Sequence, residues 1–250
     1  MLSAFAIPIC SASPFNWNNN LLSVDGFGSS NAYGTTEGQA VSSAKSNALY
    51  NAYQNLQKDI YSISLENNQS IAQLAETNPQ IKSAIAHLIK NAKITHEDYD
   101  KNSLYAVTLS IPIFGTNSLS EALWKSSVTD KNDGFAANNS NSPTGIVVDC
   151  REFNLNKALL PGIKDVNGRT IYEAKNISPS ILIDQGMADY QNSFGTQKSA
   201  RAGTAPIVIP AIGLTNLNQT PIISKENGDV ILKENAATNF LAKAPVIFLE

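Results

Sequence analysis

A polar stretch near the middle of the chain limits what the sequence can fold into. Residues 125–143 contain Lys-Asn-Asp-Gly and Asn-Asn-Ser-Asn-Ser-Pro, and they offer almost no side chain that a core could bury. Such segments are typical of linkers rather than of cores. A chain of 250 residues that is divided there is long enough for two small domains. We therefore predict a first domain over residues 20–124 and a second over residues 144–250.

Apolar periodicity predicts helices packed on a sheet in the first domain. Thr36 and Gln39 have the spacing of a capping box, and apolar residues follow at three- and four-residue intervals as far as Ile60. Asn78, followed by proline, marks the start of a second long helix. Residues 94–114 alternate between polar and apolar side chains about a polar turn, which is typical of a β-hairpin. A short helix, capped by Ser118 and Glu121, should follow the hairpin and end near Trp124.

Two shorter segments of the first domain carry separate predictions. Tyr61, Ile63 and Leu65 alternate with polar residues, which predicts a strand. Residues 26–28, Gly-Phe-Gly, resemble the start of a dinucleotide-binding loop, but Asn31 stands where the third glycine belongs and no phosphate-binding lysine follows. We interpret these residues as a flexible, glycine-rich turn at the end of a short strand.

The second domain shows shorter elements joined by turns. The patterns predict a strand at 145–150, a turn at 165–168 leading into a strand at 169–172, a helix at 228–237 and a strand at 244–249. The predicted fold class is therefore α/β (α+β). It consists of a small mixed sheet with two long helices on one face, followed by a second small α/β domain.

Composition and charge exclude several classes of protein. Charged residues make up 16% of the chain, below the roughly 25% of ordinary soluble domains, and neutral polar residues take their place. The net charge is −3 and no basic cluster is longer than a dipeptide, so nucleic acid is not a predicted partner. No apolar run reaches the roughly 18 residues of a transmembrane helix. The composition favours an exported protein.

The first residues support export. Residues 1–13 are apolar and then small, which is typical of the end of a signal peptide, although the basic start of such a peptide is missing. We predict a signal-peptide remnant there, with an ordinary apolar first strand as the alternative. Cys10 could accept a lipid, but Ile-Pro-Ile-Cys is a poor lipidation sequence. Whether the chain is lipidated stays open.

The only two histidines are the first residues to consider for chemistry. His87 lies on the polar or boundary side of the second helix, and His96 is followed by Glu97, Asp98 and, two residues later, Asp100. These acidic residues with His96 could form a metal cluster. However, alternate residues of a strand share a face, so His96 and Asp98 point away from Glu97, and two ligands are too few for a closed site. We favour a solvated hairpin end, and we predict no catalytic, cofactor-binding or metal-binding residue.

One cysteine lies beyond the leader. Cys150 closely follows the apolar residues Ile146, Val147 and Val148, which predicts a small core residue rather than a nucleophile. Asp149, Arg151 and Glu152 around it could form a carboxylate pair with a cation, but they are better explained as solvating the end of a buried strand.

Several segments resemble a family of envelope proteins. Residues 44–57 (AKSNALYNAYQNLQ), residues 94–99 and residues 105–115 (YAVTLSIPIFG) resemble the Lpp-twenty domain of outer-membrane lipoproteins and FlgP-like flagellar proteins. FlgT-like ring proteins carry a similar helix-on-sheet module. Residues 144–172, with Gly-Ile-Val-Val-Asp and Asn-Gly-Arg-Thr-Ile-Tyr, are similar to a C-terminal extension of such proteins.

The resemblance implies a periplasmic or outer-membrane protein that is not an enzyme and needs no cofactor. Its expected partners are further copies of itself or other envelope and flagellar proteins, with peripheral association to the outer membrane. Two alternatives stay open. One is a periplasmic module that binds a small ligand between its domains, and the other is a hydrolase with an unrecognised site.

Overall fold

A computed structural model describes residues 15–17, 19–30, 36–65, 69–100, 104–125, 142–193, 200–215 and 217–250. The predicted leader with Cys10, the hairpin turn at 101–103 and nearly all of the predicted linker lie outside these residues. The elements follow in the order β1 (Phe15–Asn16), β2 (Leu21–Ser29), α1 (Glu37–Ser62), α2 (Ile71–Thr77), α3 (Pro79–Lys90), β3 (Lys93–Asp100), β4 (Leu104–Pro112), α4 (Leu119–Trp124), β5 (Ile146–Asp149), β6 (Ile163–Asp165), β7 (Thr170–Tyr172), α5 (Pro179–Gln185), β8 (Ala188–Gln191), β9 (Ile207–Pro210), β10 (Gly213–Thr215), β11 (Thr220–Ile223), α6 (Lys225–Thr238) and β12 (Val246–Leu249).

The chain forms two compact units. The first comprises residues 1–61 and 86–113, and the second comprises residues 62–85 and 114–250. The division therefore differs from the predicted domains, because α2, most of α3 and α4 group with the C-terminal residues. The predicted α/β class, with helices and sheets in two parts, is confirmed.

The first unit is built on an antiparallel sheet in the order β1-β2-β4-β3. One face is buried. It carries Tyr105, Val107, Leu109 and Ile111 of β4, the residues predicted to share a face. Alternate residues of β2 lie beside them, with Leu22 opposite Ile111. The sheet was expected to be mixed, and all its strands prove to be antiparallel.

Helix α1 confirms the first predicted helix and its cap. The backbone amide of Thr36 donates to Gln39 Oε1 over 3.0 Å, and the amide of Gln39 donates to Thr36 Oγ1 over 3.4 Å. The buried residues occur at every fourth position: Ala40, Ala44, Ala48, Ala52, Leu56 and Ile60. Most of this row is alanine, so the helix backbone can lie very close to whatever it covers.

Two predictions for the first domain are wrong. Residues 61 and 62 continue α1, and beyond them only an isolated bridge between Ser64 and Ser70 forms, so there is no strand at Tyr61–Leu65. Residues 26–28 are not a turn, because they lie inside β2. Helix α2 was also missed, although Ser70 and Gln73 form a complete capping box at its start.

Other predicted ends are confirmed. Asn78 Oδ1 accepts from the amides of Gln80 and Ile81 at the start of α3, over 3.1 and 3.2 Å. The amide of Glu121 donates to Ser118 Oγ over 3.0 Å at the start of α4. The β3–β4 hairpin also forms as predicted.

Two sheets share the core of the second unit. One is parallel, in the order β8-β12-β5-β9, and the other is mixed, in the order β10-β11-β6-β7. Strands β5 and β12 are central, and β12 is buried at every residue, as expected for a parallel sheet covered on both faces. The common core includes residues of both sheets and of α6: Ile146, Val148, Ile163, Ile171, Tyr172, Ile223, Ile231 and Phe248.

Candidate functional site

The structure separates the residues that could have formed a metal cluster on β3. His96 lies opposite Thr108 and Asp98 opposite Ala106, on the face of the sheet away from the core. Glu97 lies opposite the buried Val107, so it belongs to the core face, as the strand alternation predicted. Across the described ranges, no group of three or more His, Cys, Asp or Glu residues could hold a metal ion.

Glu97 instead forms a contact between β3, β4 and α1. Its carboxylate lies 2.9 Å from Lys45 Nζ and accepts a hydrogen bond from Tyr105 Oη over 3.0 Å. The Lys45 ammonium first, and the Tyr105 hydroxyl second, hold the pKa of Glu97 below its ordinary value. A carboxylate stabilised in its charged form is a poor proton acceptor near neutral pH. Its geometry therefore suits a structural anchor better than a general base.

The other histidine is likewise occupied within its own helix. The Asn91 amide lies 3.2 Å from His87 Nε2 and also donates to the His87 backbone carbonyl over 2.8 Å. His87 belongs to the last turn of α3, where a basic residue complements the helix dipole.

A feature that we did not predict closes one edge of the antiparallel sheet. Three asparagines of α1 donate side-chain hydrogen bonds to backbone carbonyls of β2, over 2.9, 2.7 and 2.8 Å: Asn47 to Ser29, Asn51 to Phe27 and Asn55 to Asp25. We call these contacts the asparagine ladder. Strand β1 pairs with β2 only as far as Leu22. Beyond that residue, the ladder binds carbonyls with which a further strand would otherwise form hydrogen bonds.

Glycines of β2 allow the helix to approach closely enough for this ladder. A Cβ atom on Gly26 would lie 2.3 Å from the Ala48 carbonyl oxygen, and one on Gly28 would lie 2.2 Å from the Ala44 carbonyl oxygen. Both distances are far shorter than any real contact. The glycines are thus a docking surface for α1 rather than a phosphate loop or a flexible turn.

A sequence signal for this ladder does exist. Residues 44–55 read AKSN-ALYN-AYQN, so the pattern Ala-x-x-Asn occurs three times in succession. Four helical residues advance about 6.0 Å, and two strand residues advance about 6.8 Å. A four-residue repeat on a helix can therefore stay in step with a two-residue repeat on a strand. The Gly-x-Gly of β2 is the matching half of the signal.

In the second unit, the residues around Cys150 also have structural partners. Cys150 is fully buried, which confirms the prediction of a core thiol. Burial first, and the Asp149 carboxylate second, raise the pKa of this thiol to about 12. The Arg151 guanidinium donates to Asp149 through Nε over 2.8 Å and through Nη2 over 2.5 Å. This ion pair lies at the partly exposed end of β5, as expected.

A second charged group lies at the same end of the parallel sheet. Lys157 Nζ is 2.6 Å from Glu250 Oε1 and 5.6 Å from the centre of the Tyr190 ring. Tyr190 Oη accepts from the amide of Ala158 over 2.9 Å, and burial raises the pKa of this phenol. Since the carboxyl ends of β5, β8, β9 and β12 meet here, this is the place where open α/β sheets bind ligands.

The predicted turn at residues 165–168 is an anchor for α6. Asp165 is 2% exposed, and its carboxylate accepts from the amides of Asn167 and Arg169 and from Arg169 Nε, each over 2.9 Å. Burial raises the pKa of Asp165, but these hydrogen bonds outweigh burial and lower it overall. Arg169 also lies 2.6 Å from Asp229 on α6. Gly168 completes the turn with a φ of +77°.

Comparison with known proteins shows a resemblance in the C-terminal part of the chain. Residues 145–250 match the family model described as the second domain of Treponema pallidum Tp0624. The match covers less than half of the chain, and its first residue lies one position after the predicted start of the second domain. No curated protein matches the chain. Among the described helices, none combines the length and the apolar character that crossing a membrane requires.

Proposed function

We propose that this protein is a non-enzymatic structural or assembly protein of the cell envelope, exported to the periplasm or the outer membrane, with a flagellar ring as one assembly it could join. The observation that carries the proposal is that the ionisable side chains bind other groups of the protein. Glu97 binds Lys45 of α1, Asp149 binds Arg151 just beyond its own strand, and Asp165 binds Arg169, which in turn binds Asp229 of α6. Side chains held this way stabilise a scaffold and contribute no chemical step.

The envelope location rests on sequence. The apolar and then small residues 1–13, the low content of charged residues and the resemblance to Lpp-twenty and FlgP-like or FlgT-like proteins all favour export. Fractionation of cells that express the full chain tests this directly. We expect the protein in the envelope or periplasmic fraction, with a mature N-terminus after Ala12 or Ser13. Intact Met1 in the cytosol would remove the export argument.

Variants can separate a structural role from an enzymatic one. Alanine at His87 or Asp149 should leave motility and envelope integrity nearly intact, because no side chain performs a chemical step. Val107→Asp should abolish both, because it puts a charge on the buried face of β4 at a cost of several kcal/mol. Protein levels are compared by immunoblot. Loss of function in folded, abundant His87→Ala protein would overturn the structural proposal.

A small-ligand-binding module is the second candidate, and the carboxyl end of the parallel sheet favours it. Two cations and two carboxylates gather there, where ligands of open α/β sheets bind: Arg151 and Lys157 with Asp149 and Glu250. Thermal unfolding of the wild type and of Arg151→Ala, with small anions and amino acids added, tests this role. A ligand that stabilises only the wild type would favour binding over assembly.

A further inference from the structure

The two edges of the antiparallel sheet are treated differently. The asparagine ladder covers the edge of β2, whereas β3 lies at the opposite edge, where no described strand pairs with its outer side. All residues of β3 are exposed except Tyr99, which is partly buried. The side chains of this strand are thus accessible, and no strand within the described ranges pairs with its outer row of backbone donors and acceptors.

Strand β3 contains a bulge that sets which residues can face a neighbour. Ile94 lies opposite Leu109 and His96 opposite Thr108, so Thr95 is the extra residue. Because of this bulge, Ile94, Glu97 and Tyr99 share the core face, and the remaining paired residues share the outer face: Lys93, His96, Asp98 and Asp100. Without Thr95, the strand is a run of seven paired positions with Glu97 at its centre.

We propose that β3 pairs in antiparallel register with β3 of a second copy of this chain, about a two-fold axis at Glu97. This deepens the assembly role proposed above, and it rests on that role for its biological meaning. A two-fold axis perpendicular to a sheet keeps each residue on its own face, which the seven-position register satisfies. The pairing makes one continuous sheet of the two copies.

Charge and shape are self-complementary in this register. Lys93 lies opposite the partner's Asp100, His96 lies opposite the partner's Asp98, and Ile94 lies opposite the partner's Tyr99. Opposite charges and an aromatic against a β-branched residue are stabilising cross-strand pairs. Asp100 already has an interaction within its own chain, and a carboxylate with two oxygens can accept a further donor.

The centre of the register places Glu97 opposite the partner's Glu97, and like charges there would oppose pairing. In each copy, however, Lys45 lies 2.9 Å from the Glu97 carboxylate and neutralises it. Charges on an edge strand usually prevent association. Here Lys93 lies at one end of β3, and Asp98 and Asp100 lie at the other. Parallel pairing would place like charges opposite each other, and shifted pairing would separate the opposite charges. Only the antiparallel, centred pairing brings each cation to a carboxylate.

Charge exchange tests the proposal on the full chain. Light scattering and sedimentation at several concentrations should show a dimer for the wild type. Lys93→Asp or Asp100→Lys alone should weaken it about tenfold or more, because two cross-strand pairs in each dimer become repulsive. The double variant K93D/D100K should restore it. Lys58→Asp, an exposed charge change on α1, is the matched control and should leave the dimer unchanged.

Cross-linking tests the register itself. In a Cys10→Ser background, His96→Cys mixed with Asp98→Cys should form a disulfide between copies faster than either variant alone, because these positions face each other. Neither change touches the Lys45–Glu97 contact, and circular dichroism checks the fold. A monomeric wild type, or a double variant that stays as weak as the single ones, would overturn this inference. Cytosolic localisation would instead overturn the envelope role and leave the dimer standing.

Discussion

The two edges of the antiparallel sheet differ in what covers them. At β2, side chains of α1 bind the outward carbonyls, and glycines bring the helix within reach. At β3, a bulge and charged residues shape an edge that stays accessible. A helix whose repeat matches that of the strand can thus close one edge of a sheet, and pairing with another molecule is then left to the opposite edge.

The largest expected effect comes from separating α1 from β2. Gly28→Ala would place a methyl group 2.2–2.3 Å from backbone atoms of Ala44 and Ala48, so the helix must move. We expect a loss of about 3 kcal/mol in the free energy of unfolding, at the upper end for overpacking. Urea denaturation measures it. Gly38→Ala, where nothing lies within 4 Å, is the matched control and should stabilise α1 slightly. Equal stability for both variants would show that the helix does not depend on the glycines.

Removal of the asparagine ladder should change association more than stability. In the triple variant N47A/N51A/N55A, each lost hydrogen bond destabilises by about 1 kcal/mol, and each alanine returns about half of that through helix propensity. We expect a net loss of roughly 1–2 kcal/mol and new self-association through β2. Light scattering over time measures the association. Gln54→Ala on the same helix is the control, and a triple variant that associates no more than this control would contradict a protective role for the ladder.

Acid should weaken the contact beneath β3. The pKa of folded Glu97 is lowered, so its contribution to stability is present above the ordinary value of 4.5 and is lost as the pH falls through the lowered pKa. Glu97→Gln should therefore be less stable than the wild type at neutral pH, and the difference should vanish in acid. Denaturation curves from pH 7 to pH 2 measure this. A difference that does not change with pH would show that the charge of Glu97 is not what matters.

The smallest effect is expected at His96. Its side chain lies on the exposed face of an edge strand, so His96→Ala should change the stability of the dilute protein by less than about 0.5 kcal/mol. Thermal unfolding at low concentration measures this without a contribution from association. A loss of several kcal/mol would show that His96 has structural partners that its exposure does not suggest.

Sequence patterns predicted the helices and strands better than the contacts between them. The caps at Thr36, Asn78 and Ser118 were predicted because their hydrogen bonds join residues two or three positions apart. The strand expected at Tyr61–Leu65 failed because five residues of alternation are a weak signal, and α1 simply continues into them. The Gly-Phe-Gly of β2 was misread for a different reason, since its purpose depends on a helix that begins nine residues later.

In the candidate sites, too, local features could be predicted from the sequence and contacts between distant residues could not. Burial of Cys150 could be inferred from its apolar neighbours, and the separation of Glu97 from His96 and Asp98 followed from strand alternation alone. The pairing of Glu97 with Lys45 could not be inferred, because 52 residues separate them. Nor does any local pattern place Lys157 beside Glu250.

Short-range sterics and hydrogen bonds specify α1, α3 and α4 with their caps, the faces of the β3–β4 hairpin and the turn at Asp165, so these features could be predicted from the sequence. By contrast, the packing of α1 on the glycines of β2, the closure of one edge by three asparagines and the absence of a described strand beside β3 follow from the folded chain as a whole. These outcomes depend on which surfaces meet. Contacts between distant segments become favourable only after the whole chain has brought them together, so no local stretch of sequence contains them.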